Sequence, residues 1–342
     1  MKFSNPKVNH YYTRLLQEVN LRMGLSVSKP LEAILIMTYR CNARCVHCYS
    51  YDMPRMQELT TEEWKNTIDD IYDWLGPIFL SFTGGEALLR KDSIEIAEHA
   101  AKRGFWVEFL SNGWVLDQSK VERLFQAGIN RLKISLDSTV KEEHDKIRGV
   151  KNFFERSYNA LKLAAENKHL AHPDIQIYAK SAIMNYNVKH APEVARVAKE
   201  FGIYGVEYQA IEPVYYSDQQ DDPLWYKDNP LWINDTEAAL KAVGEIRNMK
   251  QQGYPIVNSF ESLDMMAAYF KDPDAEKHRV HTHNYKKKEV ACQDWAKGLQ
   301  IDPAGNLRMC HWMEPYGNVK DRKLAKQWNA RSSCGRCSMP YK

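Results

Sequence analysis

Between residues 31 and 210 the chain alternates short apolar runs with longer amphipathic stretches. The apolar runs, 32–38, 78–83, 105–111, 131–136, 175–184 and 205–210, have the length of strands. The stretches between them, 61–75, 92–103, 117–127, 152–167 and 188–201, carry apolar residues at helical spacing. Strand-then-helix units call for a parallel sheet with right-handed crossovers, because a parallel partner is reached only by passing over the sheet face. Six such units are too few to close the eight-stranded barrel. The alternation therefore predicts an open, partial (β/α)6 barrel of the TIM type in the α/β class. In that architecture a site gathers at the C-terminal ends of the strands.

Alternation within the runs assigns faces. Leu132, Ile134 and Leu136 form one apolar set that faces the outer helices; Arg131, Lys133, Ser135 and Asp137 form the opposite set and line the barrel. In the fifth run Ile175, Ile177, Ala179 and Ile183 point outward, and Gln176, Tyr178 and Lys180 inward. In the sixth, Glu207 and Gln209 point inward. A lining this polar belongs to a binding cavity rather than a packed core. Lys180, Glu207 and Gln209 are the candidate catalytic positions facing substrate. The alternative for Lys180 and Glu207 is a buried ion pair with no chemical role.

The rest of the 342-residue chain reads as three further regions. Residues 1–30 form an N-terminal extension without a signal-like apolar run. Residues 211–289 form a linker and helical cover. Pro213, Pro223 and Pro230 break the rhythm there, the aromatic segment Tyr215–Trp232 reads as a packed cover over the barrel mouth rather than a substrate lid, and 235–252 reads as one more helix. The polar, basic stretch 272–290, with His278, His281 and His283, reads as a solvated linker. Residues 290–342 are rich in Cys, Gly and Asn, the texture of a small metal-stapled domain. The formal charge of +3 gives no reason to expect a nucleic-acid or membrane partner, and a cytoplasmic protein is expected.

The seven cysteines are clustered, three at 41, 45 and 48 and four at 292, 310, 334 and 337. Clusters of this kind in a cytoplasmic chain bind metal or do redox chemistry more often than they form disulfides. Cys41-Asn-Ala-Arg-Cys45-Val-His-Cys48 directly follows the first strand. Three thiolates on one loop can each take one iron of a 4Fe–4S cube, which leaves the fourth iron open to a small molecule. The competing readings are an apolar helix face, which Tyr39, Asn42 and Arg44 argue against, and a zinc site, which prefers four closed ligands.

The spacing resembles that of radical S-adenosylmethionine (SAM) enzymes, and companion motifs follow in order at successive strand ends. Gly84-Gly85-Glu86 is similar to the family's Gly-Gly-Glu-Pro, which implies that Glu86 holds the amino group of SAM while the glycines let backbone approach the ligand. Ser111-Asn112-Gly113 resembles Thr-Asn-Gly, and Ile134-Ser135-Leu136-Asp137 carries the serine that contacts ribose or carboxylate. Arg148, in His144-Asp145-Lys146-Ile147-Arg148-Gly149, is implied for the SAM carboxylate. The sequence departs from the family at Ala87, where Pro is usual, and at His47, where an aromatic residue is usual; an imidazole there can still stack near adenine.

In the tail, Gly298-Leu-Gln-Ile-Asp302-Pro-Ala-Gly305-Asn-Leu-Arg-Met-Cys310 reads as a hairpin. The hairpin brings Cys292 and Cys310 together, and the Cys334–Cys337 loop closes over them. The pattern resembles the SPASM or twitch domain, and four cysteines match the shorter twitch form with one auxiliary 4Fe–4S cluster. A structural zinc site is the alternative.

The resemblance implies two 4Fe–4S clusters, SAM as cofactor and a flavodoxin- or ferredoxin-type electron donor. It implies reductive cleavage of SAM to a 5′-deoxyadenosyl radical, hydrogen abstraction from substrate, and oxidation or cross-linking with electron transfer to the auxiliary cluster. The expected substrate is a peptide or protein side chain; the alternative is a small polar metabolite such as an amino sugar or alcohol. The 30 residues before the first strand are too few for a leader-recognition domain, which counts against a peptide. A non-catalytic iron–sulfur carrier conflicts with the complete set of SAM motifs.

Overall fold

The computed structural model describes residues 29–214, 217, 224–273, 298–309 and 314–330, together with Tyr11, Tyr12 and Leu15. Its core is a parallel sheet of β1 (Glu32–Ile36), β2 (Phe79–Thr83), β3 (Trp106–Ser111), β4 (Arg131–Ser135), β5 (Gln176–Ile183) and β6 (Gly205–Ala210), standing side by side in chain order. The crossovers run through α1 (Thr61–Leu75), α2 (Ser93–Lys102), α3 (Gln118–Gln126), α4 (Lys141–Arg148), α5 (Phe153–Glu166) and α6 (Val194–Glu200). This is the partial (β/α) barrel that the alternation predicts. The six strands fall within two residues of their predicted bounds.

The reason lies in burial on the outer face. Leu35, Leu80, Phe82, Phe109, Leu132 and Ile134 are each fully buried between sheet and helices. Removing such a side chain from water contributes about 1.5–3 kcal/mol, so the register that buries the whole set is strongly preferred. Helix starts are fixed locally. The Thr60 side chain accepts a hydrogen bond from the Glu63 amide (3.2 Å), and the Glu63 carboxylate accepts one from the Thr60 amide (2.7 Å), a reciprocal cap at the start of α1.

Within the barrel one helix was not legible in the periodicity. α4 is mostly charged, and only His144, Ile147 and Arg148 are buried. It is held less by an apolar stripe than by the polar contacts those residues make near the barrel mouth.

The predicted hairpin of the tail is present as β7 (Gly298–Ile301) and β8 (Asn306–Arg308), with β9 (Gly317–Asn318) beyond it. It joins the barrel's own sheet: β7 pairs in parallel with β1, Glu32 opposite Gly298 and Leu35 opposite Ile301, giving nine strands in all. Asp302 builds the turn, its Oδ1 accepting from the amides of Ala304 and Asn306, both at 3.0 Å. The turn then docks on the chain before α1, where the Pro303 carbonyl accepts from the Leu59 amide at 2.7 Å.

Two more helices, α7 (Thr236–Gln251) and α8 (Phe260–Lys271), pack beside β6. The aromatic segment is a packed cover where it is described: Trp225 and Trp232 are each 6% exposed, and Trp232 packs on Tyr269 and Phe270 of α8. A short α9 (Leu324–Ala330) buries Trp328 near Trp74. Cys292, Cys310, Cys334, Cys337 and the basic stretch from 274 to 290 lie outside the described residues. Among the described residues no helix is long and apolar enough to cross a membrane.

Candidate active site

The C-terminal ends of the strands surround a cavity of about 460 Å³, within the range that holds a small-molecule ligand. Cys41, Cys45, His47 and Cys48 line it from the loop after β1; Gly84, Gly85 and Glu86 from the end of β2; Ser111 and Asn112 from β3; Ser135, Asp137 and Arg148 from β4 and α4; Lys180 and Gln209 from β5 and β6. The structure thus brings together residues that are up to 266 positions apart in the chain, from Ile34 to Gln300.

The loop that carries the three thiols is braced from two sides. The amides of Gly85 and Glu86 donate to the carbonyls of Thr38 and Arg40 at 2.8 and 2.9 Å. A Cβ on Gly84 would stand 2.3 Å from the Thr38 carbonyl oxygen, and one on Gly85 would stand 2.4 Å from that of Arg40. The glycines were expected to admit a ligand to the backbone. Both line the cavity, and they also admit the backbone of the cysteine loop itself. On the other side, the amides of Arg44 and Val46 donate to the carbonyls of Arg148 and Ile147 at 2.8 and 3.0 Å. Gly149 takes a φ of +69° to end α4, and a Cβ there would meet the Arg44 carbonyl at 2.2 Å.

Glu86 is 1% exposed. Its Oε1 accepts from the Ser111 hydroxyl (3.0 Å) and the Leu88 amide (3.2 Å), and its Oε2 from the Asn112 amide (2.7 Å). A carboxylate has about four acceptor positions, so one remains toward the cavity. Burial pushes the carboxyl up to about 7 against those hydrogen bonds. A cationic neighbour is what would bring it back down.

Asn112 and Arg148 serve the cysteine loop directly. The Asn112 side-chain amide donates to Asn42 Oδ1 (2.9 Å) and approaches Cys41 Sγ (3.9 Å). Arg148 donates to Cys45 Sγ (3.6 Å) and forms an ion pair with Asp137 at 2.6 Å. Asp137 is 1% exposed and also accepts from the Ala182 amide at 3.1 Å. Burial opposes its charge, yet Arg148, with His144 and His47, holds its carboxyl below the ordinary value. His47 lines the cavity with its Nδ1 unpartnered, and burial together with the charge of Arg148 pushes its pKa down to about 4, leaving the imidazole neutral. Asp137 and Gly149 are the partners the sequence reading did not single out. Their signals were an inward polar position at period two and a glycine directly after a helix-ending arginine.

Burial pushes the Cys41 thiol up to about 12 and the Cys45 thiol upward as well. Such thiols ionise only when a metal takes them. The three are free thiols lining one cavity, with N–H donors on Cys41 from the Ala43 amide (3.4 Å) and on Cys45 from Arg148. That donor set suits a thiolate-bound iron–sulfur cluster, whose sulfurs accept such hydrogen bonds. Among the described residues no three His, Cys, Asp or Glu side chains converge on a single metal ion.

Of the candidate catalytic positions, Lys180 and Gln209 line the cavity. Glu207 meets Lys133 at 2.8 Å, and Lys133 also meets Glu108 at 3.0 Å, which in turn meets Arg131 at 3.1 Å. The ion pair considered for Glu207 therefore exists, with Lys133 rather than Lys180 as its partner.

A profile described as the radical SAM superfamily matches residues 35–171. The chain is similar to Fe-coproporphyrin III synthase of Methanosarcina barkeri, 33% identical over 321 residues, covering 89% of this chain and 75% of that protein. It is 24% identical over 313 residues to PqqA peptide cyclase of Granulibacter bethesdensis, covering 89% and 75%. Among solved structures it resembles Streptococcus suis SuiB bound to the precursor peptide SuiA, with a TM-score of 0.65, 14% identity, and coverage of 92% of this chain and 67% of SuiB. It also resembles anSMEcpe with bound AdoMet and Cp18Cys peptide, with a TM-score of 0.62, 15% identity, and coverage of 89% and 81%.

Proposed function

The chain belongs to the radical SAM superfamily, enzymes that use SAM and a 4Fe–4S cluster, and we propose that its cavity is arranged to hold both and to act on a peptide side chain. Cys41, Cys45 and Cys48 would ligate three irons, and the open iron would face SAM. Glu86, with one free acceptor position between fixed donors, would take the SAM ammonium. Ser135 would meet the ribose or carboxylate end. Arg148, anchored on Asp137, would present its positive charge to the same end from behind Cys45. Gly84, Gly85 and Asn112 would act by fixing the cysteine loop, and His47 would lie as a neutral ring beside the adenine.

When bound, the reduced cluster and SAM supply a 5′-deoxyadenosyl radical that takes a hydrogen atom from an unactivated carbon. The chain's own part is to orient the two groups and hold the substrate carbon in reach. The tail cysteines Cys292, Cys310, Cys334 and Cys337 would hold one auxiliary 4Fe–4S cluster that accepts an electron, so that the product is oxidised or cross-linked. A flavodoxin- or ferredoxin-type protein would supply the reducing electron, in the cytoplasm.

The observation that carries this reading is the convergence of the three thiols and the buried, part-satisfied Glu86 on one cavity. The peptide assignment draws on the names of PqqA peptide cyclase and of SuiB with its precursor peptide. One observation favours a small-molecule substrate instead: the relative at 33% identity is named for a tetrapyrrole product. Anaerobic reconstitution with an iron count tests the cluster assignment. About eight irons per chain support two clusters, and about four irons with one zinc refute the auxiliary one. Incubation with SAM and a peptide library, read by mass spectrometry, tests the substrate; loss of hydrogen mass from a peptide supports it, and turnover of only a non-peptide refutes it.

A further inference from the structure

Around β2–β4 the cavity's carboxylates are each held by partners within the chain; Lys180 on β5 is not held by one. Around β2–β4, Glu86 is held by Ser111, Leu88 and Asn112, Glu108 by Ser81, Arg131 and Lys133, and Asp137 by Arg148 and Ala182. Lys180 on β5 differs. It lines the same cavity and stands in the ladder between Ser135 of β4 and Glu207 of β6. Glu207, its neighbour across the ladder, is engaged by Lys133 at 2.8 Å. The Lys180 ammonium makes no ion pair or side-chain hydrogen bond among the described residues, and its charge, with that of Lys133, acts on Glu207 from a distance. Glu108 and Glu207, the carboxylates of this ladder, are engaged by Arg131 and Lys133.

A second open group faces the cavity from β7. Gln300 is 6% exposed, lines the cavity, and its Oε1 accepts from no donor. Buried polar groups are normally paired. An unpaired ammonium and an unpaired amide oxygen on one cavity mark where a polar ligand completes them.

We propose that Lys180 is a substrate-binding residue that pairs with a carboxylate of the substrate. This deepens the functional reading of the same cavity and rests on it. The ligand class is an organic acid that also carries an N–H or O–H donor. An Asp or Glu side chain on a peptide and a free polycarboxylic small molecule share that chemistry, and matched probes separate the two sources.

The test uses the anaerobically reconstituted holoenzyme with SAM bound, and calorimetry or fluorescence anisotropy. One probe pair is a hexapeptide with a central Glu and its Gln counterpart. The other is a polycarboxylic porphyrin and its methyl ester. Within at least one pair the acid should bind at least about ten-fold more tightly than the neutral form. Lys180→Gln should erase that preference and Lys180→Arg should keep it, with far-UV circular dichroism confirming that each variant is folded. The pair that responds names the source. The proposal is overturned if neither acid outbinds its neutral partner in the wild-type protein, which needs no variant. It is overturned equally if Lys180→Gln keeps the preference, or if that variant loses SAM affinity by the same factor as probe affinity, which would assign Lys180 to the cofactor. Failure of the functional reading itself is distinct: it shows as absence of 5′-deoxyadenosine from the wild-type protein, whatever the probes do.

Discussion

The two sides of the cavity are built on different principles. Around the cysteine loop every bracing contact is made within the chain: Gly85 against Arg40, Gly149 against Arg44, Asn112 against Asn42, and Arg148 between Asp137 and Cys45. On β5 and β7, Lys180 and Gln300 are left open. A group that stays bound through every turnover is best met by a surface that is rigid beforehand, because ordering the surface on binding costs affinity. A substrate that comes and goes is met by open valences that only it completes. Under the proposed function the first kind of surface suits the resident cluster, and the second suits a ligand that exchanges.

The largest effect should come from breaking the rigid side at its tightest point. Gly85→Ala places a Cβ 2.4 Å from the Arg40 carbonyl and 2.6 Å from that of Tyr39, with only backbone to give way. The loop must shift, and the protein should lose the first cluster, seen as a drop of about four irons per chain on reconstitution. Unchanged iron content would show that the bracing is not needed.

Next comes the buried ion pair. Asp137→Asn leaves the Arg148 guanidinium, 6% exposed, without its counter-charge. Removing one partner of such a pair typically costs about 3–5 kcal/mol, to be read by denaturant unfolding of the metal-free protein. A change under about 1 kcal/mol would mean that Arg148 finds another partner.

A third effect is a proton. Burial raises the Glu86 carboxyl from 4.5 to about 7. The folded value lies above the unfolded one, so its contribution to stability is full below pH 4.5 and is lost as pH rises through about 7. In the metal-free protein, stability should fall across that window, and Glu86→Gln should flatten the fall. An ammonium beside the carboxylate reverses the preference. SAM binding at pH 6 should therefore release close to one proton, whereas at pH 9, with Glu86 already ionised and the free amine of SAM largely neutral, binding as an ammonium should take a proton up, measurable by calorimetry in buffers of different ionisation enthalpy. Equal release at both pH values would remove Glu86 from the ammonium site.

The smallest effect has the opposite sign and serves as a control for Gly85. Gly244 lies inside α7, where an added Cβ meets nothing within 4 Å. Gly244→Ala should stabilise the protein by about 0.5–1 kcal/mol, with iron content unchanged.

Much of this was legible in the sequence because buried parallel strands are short apolar runs bounded by turns. β4 shows it well: Ile134 and Leu132 turned outward and Ser135 inward, as period two requires. α4 was not legible, since Lys141–Arg148 is almost wholly charged and is placed by its buried His144 and Arg148 rather than by periodicity. The pairing of β7 with β1 joins residues more than 260 apart, for example Glu32 with Gly298, and no local pattern encodes it. The glycines of Gly84-Gly85-Glu86 line the cavity as expected, and they also pack on the backbone of the cysteine loop, a neighbour no local pattern reveals.

The claim on which the rest depends is that Cys41, Cys45 and Cys48 hold the cluster that cleaves SAM. It is tested most directly by incubating the anaerobically reconstituted protein with SAM and dithionite and assaying 5′-deoxyadenosine. The account predicts that the wild-type protein makes it and that Cys45→Ala makes none while its tail cysteines stay intact. A wild-type protein that makes none, or a Cys45→Ala variant that makes as much as wild type, would contradict it.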